Sequence, residues 1–153
     1  MTVSDCSSSS GACRSARPSS TTVPDLLTGA TFVFLASDAA GKPMIIDWLE
    51  AHDVPFVDVG MGIEEIDGRL SGLLRVTTSL PGRRDAAHRH IPQPAPERDA
   101  YARNIRTADL NALNAVLAVI RWKRSIGIYA DATDESHTTY SLITNEIADE
   151  DLP

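Results

Sequence analysis

The sequence has few cysteines and no long apolar run. Its two cysteines, Cys6 and Cys13, lie in a serine-rich stretch, so neither a disulfide framework nor a cysteine metal-ligand set is expected. No apolar run approaches the roughly 18 residues of a membrane span, and the polar N-terminus has no hydrophobic signal-peptide centre. We therefore expect a cytoplasmic protein in a reducing compartment, with no membrane partner.

An excess of positive charge is also absent. The net charge is −7, and residues 131–153 hold seven of the 21 acidic residues and no Lys or Arg, which leaves a neutral body and an acidic tail. Non-specific nucleic-acid binding depends on Lys and Arg side chains that neutralise phosphates. Nucleic acid is therefore excluded as an expected partner.

The residues that are present fit one globular domain. The chain has 153 residues, of which 42% are apolar and 23% are charged, and this length suits a single core. Residues 1–23 form a low-complexity, serine-rich leader without apolar periodicity, which we expect to be disordered. The folded domain is expected to span residues 24–153.

The start of this domain has the pattern of a βαβ unit. The continuous apolar run Thr31–Ala36 predicts a strand that is covered on both faces, and Asp38 follows at its carboxyl end. An amphipathic helix is predicted over Lys42–His52, and a second buried strand over Pro55–Gly60. Strands joined by such a crossover are parallel. We therefore predict an α/β fold.

The rest of the domain is predicted to add antiparallel strands and a long helix. Ile63–Ile66 and Arg69–Thr78 flank an Asp-Gly pair that suits a type I′ hairpin turn. Residues 79–99 are rich in proline and lack periodicity, so we expect a loop. Thr107 is a possible N-cap of a helix with one apolar stripe, formed by Leu110, Leu113, Leu117 and Ile120. Thr138–Thr144 predict a last strand, after which the acidic end is expected to fray.

Asp38 is the strongest candidate for chemistry in this sequence. Open α/β sheets bind ligands beyond the carboxyl ends of their strands, where a carboxylate can hold Mg²⁺ or a ribose hydroxyl. An aspartate after a strand is also a common cap of the next helix. Both interpretations stay open on these grounds alone.

Three other motifs are more readily explained by structure. Gly60-Met-Gly62 is not followed by the third glycine or the helix of a nucleotide loop, so a positive φ or a close backbone approach is preferred. His88-Arg89-His90 lacks the Cys, Asp or Glu partners of a metal site, and a solvated loop is preferred. Asn111 and Asn114 need hydrogen-bond partners within a helix, either from packed backbone or from a substrate or subunit surface.

Five blocks of the chain, taken in order, carry a family resemblance. They are Phe32–Asp38 (FVFLASD), Val54–Gly62 (VPFVDVGMG), Leu70–Thr77 (LSGLLRVT), Tyr101–Ala115 (YARNIRTADLNALNA) and Ala118–Lys123 (AVIRWK). These blocks resemble the C-terminal half of ThiF/MoeB/HesA-type, E1-like adenylyltransferases. The resemblance implies a partial Rossmann-like sheet with a βαβ unit, an antiparallel hairpin and a long C-terminal helix. Family members use Mg-ATP to adenylate the C-terminal carboxylate of a ubiquitin-like or sulfur-carrier protein, usually as dimers.

The resemblance also implies roles for particular residues. Asp38 matches the strand-end aspartate that serves Mg-ATP, as catalytic residue and magnesium ligand, and Lys42 lies near the arginine that often follows it. The proline-rich loop resembles the segment that passes over the bound carrier tail, which makes Arg83, Arg84 and Arg98 candidate carrier contacts. The family's glycine-rich loop and its phosphate-binding Arg and Lys have no counterpart here. We therefore expect no catalysis by this chain alone.

Three hypotheses about function follow. The leading one is a partial E1-like adenylyltransferase in which Asp38 coordinates Mg-ATP when a complementing half is present. The alternative is a non-catalytic interaction module that pairs, through its long helix and hairpin, with another E1-like subunit or binds a carrier protein. The third is a truncated product that folds poorly, because half of a doubly wound sheet leaves an apolar strand edge exposed.

Overall fold

Strands and helices are mixed along the chain. The structure, a computed structural model, describes residues 3–5, 14–16, 26–37, 41–92, 107–131 and 135–149. Its strands are β1 (Val3–Asp5), β2 (Arg14–Ala16), β3 (Val33–Leu35), β4 (Phe56–Ile66), β5 (Arg69–Ser79), β6 (His137–Ser141) and β7 (Glu146–Asp149). Its helices are α1 (Lys42–Ala51), α2 (Asp85–His90) and α3 (Ala108–Ser125). No helix within these ranges is both long and apolar enough to cross a lipid bilayer.

The strands form one mixed sheet in the order β2-β1-β3-β4-β5-β6-β7. β3 and β4 are parallel, with Val33 opposite Phe56 and Leu35 opposite Asp58, whereas the other neighbouring pairs are antiparallel. The prediction of a parallel strand–helix–strand unit in an α/β fold is therefore confirmed. β1 and β2 lie within residues 1–23, most of which is outside the described ranges, so the disorder expected of that leader stays a prediction.

The hairpin is longer than the sequence pattern indicated. β4 continues through Gly60 and Gly62 to Ile66 without the predicted break, because β5 pairs with it residue by residue over its full length. Asp67 and Gly68 connect the two strands with φ values of 50° and 75°. Both central residues of a type I′ turn need a positive φ, so the predicted turn is confirmed.

Helices cover both faces of the sheet. On one face α1 and α2 pack over residues such as Val33 and Phe56, and on the other face α3 packs over residues such as Val57 and Val76. Successive side chains of β4 therefore enter different cores. This explains why its first half is a continuous apolar run instead of an alternating pattern.

Two predictions about irregular segments are wrong. Asp85–His90 within the predicted loop forms α2, a helix of six residues that buries Ala86 and Ala87, and so short an element shows no periodicity in sequence. Residues 93–99 of that loop lie outside the described ranges. The acidic end does not fray from Thr144 onwards, because residues 146–149 form β7 and pair with β6.

The long helix begins and ends where the sequence predicts, but a different side faces the sheet. Thr107 is the N-cap residue without a capping side-chain hydrogen bond, and Gly127 follows the helix with a φ of 76°. The most buried positions of α3 are Asn114, Ala118 and Arg121, while the predicted leucine stripe is only half-buried. Polar partners on the sheet select this orientation.

Candidate functional site

The predicted ligand-binding edge lies between β3 and α1. Leu35 ends β3 beside Asp58 of β4, and α1 begins at Lys42 with Gly41 as its N-cap. The connection between these two elements therefore leaves β3 at the carboxyl edge of the parallel strands, which is where open α/β sheets bind ligands. Asp38 belongs to this connection but lies outside the described residues. Arg98, which belongs to the proline-rich segment, also lies outside them.

Three charged side chains meet at this edge, and we call them the Asp58 cluster: Lys42, Asp58 and Arg75. The Lys42 ammonium contacts Asp58 Oδ1, and Arg75 Nη2 donates to Asp58 Oδ2 at 3.2 Å. The exposed fractions of the side chains are 8% for Lys42, 0% for Asp58 and 20% for Arg75. Two cations therefore share one carboxylate, and the cluster carries one net positive charge when all three are ionised.

Burial and charge act in opposite directions on Asp58. Removal from water raises the pKa of the Asp58 carboxyl above its ordinary value of 3.8, while Lys42 and then Arg75 act to lower it. Burial has the larger effect because an ion loses most of its hydration energy in the interior. The two cations are thus the reason that a fully buried carboxylate is tolerated in the middle of the sheet.

A glycine on β4 provides the space for Arg75. Gly60 is paired with Arg75 across the hairpin, and a Cβ atom at Gly60 would overlap the Arg75 guanidinium. The close approach predicted at Gly60-Met-Gly62 is therefore confirmed at Gly60. The group that approaches the glycine is the Arg75 side chain and not another stretch of backbone. Gly72, on β5, is a second position where only glycine fits. Its φ is 141°, and a Cβ atom added there would overlap the Gly62 carbonyl oxygen.

Arg83 and Arg84 lie at the other edge of the parallel strands. β5 ends at Ser79 beside Phe56, the first residue of β4, and both arginines follow that end. Arg83 Nη2 donates to Ser136 Oγ at 3.2 Å, and Arg84 Nη2 donates to the Asp53 carboxylate at 2.9 Å. Their role as carrier contacts stays a prediction.

A second polar row crosses the same face of the sheet beside Asp58. Thr77 lies opposite Asp58, and His137 lies opposite Thr77. Thr77 Oγ1 is 2.8 Å from His137 Nδ1, and the ring of His90 on α2 stacks on His137 with centroids 3.9 Å apart. Thr77 and His137 are 0% and 2% exposed, so this row packs α2 against the sheet.

The histidines of the His88-Arg89-His90 motif have separate environments. His90 stacks on His137, whereas His88 Nε2 lies 3.1 Å from Glu50 Oε2 across an open groove between α1 and α2. Within the described ranges, no three His, Cys, Asp or Glu side chains are grouped as metal ligands. The motif belongs to α2 instead of the solvated loop that the sequence favoured.

An ion network on the opposite face joins α3 to the last strands. Arg121 is 5% exposed, and its guanidinium lies 3.1 Å from the Glu135 carboxylate and 3.7 Å from that of Asp149. Burial raises the pKa of Asp149 above its ordinary value of 3.8, and the neighbouring Glu135 raises it further. The network explains why α3 turns Arg121 inward.

The residues of the Asp58 cluster can be compared with what a magnesium–nucleotide ligand requires. Its net positive charge suits a phosphoryl oxyanion, but the Asp58 carboxylate is already paired with two cations and is a poor further ligand for Mg²⁺. A magnesium ion at this edge would therefore depend on Asp38. Lys42 would contribute its charge while remaining in contact with Asp58.

Sequence reasoning missed Asp58 and Arg75. Asp58 could have been recognised from the sequence, because it is the single charged residue in the apolar run Pro55–Gly60. A charge inside a buried strand needs a partner. Arg75 was less visible, because its position opposite Gly60 follows from the hairpin register. Asn111 is exposed, while Asn114 Nδ2 donates to the Gly60 carbonyl oxygen at 3.1 Å, which confirms packed backbone as the partner of Asn114.

Comparison of the chain with models of known protein families, with curated proteins and with solved structures finds no match.

Proposed function

We propose that this chain forms part of a ThiF-type, E1-like ATP-dependent adenylyltransferase. Asp38 holds Mg-ATP at the carboxyl edge of β3, and a ubiquitin-like or sulfur-carrier protein presents its C-terminal carboxylate to the nucleotide. Adenylation also needs the glycine-rich loop and the phosphate-binding Arg and Lys, which this chain does not provide. These groups must come from a complementing segment or subunit.

The observation that carries this proposal is the parallel β3–α1–β4 unit with its connection at the carboxyl edge. That connection contains Asp38, and the unit has the arrangement in which α/β sheets bind nucleotides. The net positive Asp58 cluster lies beside the connection and favours an anionic ligand there. The five sequence blocks give further support, because they occur in the order of the ThiF-type family.

Binding and turnover are separable in this proposal. Pyrophosphate can leave only when several donors and cations stabilise the charge that develops on it. Asp38 and the two cations of the Asp58 cluster are too few for that task. We therefore expect Mg-ATP binding by the isolated chain and adenylation only in the complemented form.

Isothermal titration with Mg-ATP tests the nucleotide site. We expect saturable binding by the wild type that is lost in Asp38→Ala and retained in Asp47→Ala, a control at an exposed position of α1. Absence of binding by a folded wild type would remove the nucleotide site. Equal binding by wild type and Asp38→Ala would show that Asp38 was wrongly assigned.

Exposed apolar side chains favour a second candidate, a non-catalytic module that pairs with another E1-like subunit or binds a carrier. Val116 and Val119 of α3 are 54% and 40% exposed, and Ile66 and Leu73 of the hairpin are 52% and 48% exposed. Val116 and Val119 lie about one turn apart on α3, and exposed apolar patches are characteristic of protein-binding faces. The helix and the hairpin are the two elements that the sequence predicts to take part in pairing.

This second candidate is tested with purified proteins. Size-exclusion chromatography with light scattering measures whether the chain forms a stable complex with an E1-like subunit or a carrier. Val116→Glu should abolish such a complex, whereas Ile143→Glu, in the turn between β6 and β7, should not. Monomeric behaviour in the presence of both partners would contradict the candidate.

A further inference from the structure

The Asp58 cluster has more positive charge than its own residues neutralise. Lys42 and Arg75 both pair with the single carboxylate of Asp58. The Nε atom of Arg75 is buried and has no hydrogen-bond partner in the described part of the chain. A buried donor without a partner is energetically unfavourable, so the hydrogen bonding of Arg75 is incomplete.

The backbone is arranged to hold the Arg75 guanidinium in place. The guanidinium lies over Gly60, where any Cβ atom would overlap it, and Asp58 accepts one of its hydrogen bonds at 3.2 Å. One-fifth of the side chain remains exposed to solvent. Arg75 is therefore fixed on one side by β4 while part of its surface stays accessible.

We propose that Arg75 and Lys42 bind one small oxyanion, and that Asp58 is a positioning residue that holds both cations. The proposal rests on the proposed function in taking the carboxyl edge of β3 as the ligand-binding edge. Its chemistry is that of a phosphoryl group or a terminal carboxylate, because guanidinium groups donate paired hydrogen bonds to both. A free phosphate, a nucleotide and a polypeptide C-terminus are the sources to be distinguished.

A purely structural cluster makes a different prediction. Lys42 and Arg75 would then serve only to link α1 and β5 to Asp58, and anions would bind no more tightly here than at other arginines. Arg69 provides the comparison, because it is an exposed arginine at the start of β5, the same strand that carries Arg75.

The test is titration of the full chain with sodium phosphate, with ATP, and with the peptide Ala-Gly-Gly as free acid or as C-terminal amide, at constant ionic strength. We expect saturable binding of at least one oxyanion and at least an approximately tenfold loss of affinity in Arg75→Gln, as for one charge-assisted contact. Arg69→Gln should bind as the wild type does. Binding of the free acid but not the amide identifies a carboxylate site, whereas selective binding of phosphate or ATP identifies a phosphoryl site.

Two further variants keep the result interpretable. Arg75→Lys retains the charge and should restore part of the affinity, and circular dichroism confirms that each variant is folded. Gly60→Ala retains all three charges but displaces the guanidinium, and it should weaken binding as well. Affinity unchanged by Arg75→Gln, or no saturable binding of any of these ligands, would overturn the inference.

The same experiment separates this inference from the proposed function. Binding of an oxyanion that depends on Arg75, in a chain that does not bind Mg-ATP through Asp38, supports the inference and removes the proposed function. Binding of Mg-ATP that depends on Asp38 but not on Arg75 supports the proposed function and removes this inference.

Discussion

Asp58 occupies the interior because two cations accompany it, so loss of the carboxylate alone should cost more than loss of the ion pair. Asp58→Asn leaves the ammonium of Lys42 and the guanidinium of Arg75 without their carboxylate. Breaking a buried ion pair by removing one partner costs about 3–5 kcal/mol in unfolding free energy. The triple variant Lys42→Met/Asp58→Leu/Arg75→Met removes all three charges of the cluster and should lose clearly less, as measured by urea denaturation. Equal losses in the single and triple variants would contradict this account.

Asp149 supplies a pH dependence whose sign follows from its environment. Burial and then Glu135 raise the pKa of Asp149 in the folded chain above 3.8, so the folded state binds this proton more tightly than the unfolded state. The contribution of Asp149 to stability is therefore present at low pH and is lost as pH rises through the raised pKa. The pKa of Asp58 is also raised, so its contribution to stability is likewise lost as pH rises.

Asp149→Asn removes this titration while an amide oxygen can still accept the hydrogen bond from Thr138. We expect the variant to gain unfolding free energy relative to the wild type as pH rises from about 3.8, until the raised pKa of Asp149 is passed. Urea denaturation across a pH series measures this difference. Stability curves of variant and wild type that stay parallel over the whole series would show that Asp149 does not titrate as proposed.

At the scale of elements, Asn114 fixes how α3 lies on the sheet. Its Nδ2 atom donates to the Gly60 carbonyl oxygen at 3.1 Å in a buried contact. Asn114→Ala leaves that acceptor without its partner and should lower the unfolding free energy by about 1–3 kcal/mol. Asn111→Ala, on the exposed side of the same helix, should change stability by less than about 0.5 kcal/mol. The opposite ranking in urea denaturation would mean that Asn114 does not orient α3.

The same helix shows which features of the elements the sequence could predict. Local signals, Thr107 at its start and Gly127 after its end, located α3 correctly. The prediction of its buried side was wrong. An apolar stripe indicates that a helix buries one side, but it does not indicate which polar groups of the sheet can pair with polar residues of the helix. Arg121 turns inward because the carboxylates of Glu135 and Asp149 lie on that side of α3. Pairing of β6 with β7 brings these two carboxylates together.

At the scale of the whole molecule, the candidate site depends on register. The parallel strand–helix–strand unit was predictable from two apolar runs and a helix between them. The meeting of Lys42, Asp58 and Arg75 was not, because it requires the helix start, the middle of β4 and its partner on β5 to coincide. Such coincidences arise from tertiary packing and have no local sequence signal.

The end of the sheet provides the last prediction. β7 covers the outer edge of β6 from Thr138 to Ser141, and its last residue, Asp149, lies 3.7 Å from the buried Arg121 guanidinium. Strands with unpaired edges promote association between chains, and charged side chains such as Glu146 oppose it. Deletion of residues 146–153 should therefore lower the unfolding free energy and cause association that increases with protein concentration, measured by urea denaturation and light scattering. Deletion of residues 150–153 alone is the matched control and should leave both measurements unchanged. A shortened chain without β7 that stays monomeric and equally stable would show that β7 neither protects the edge nor supports Arg121.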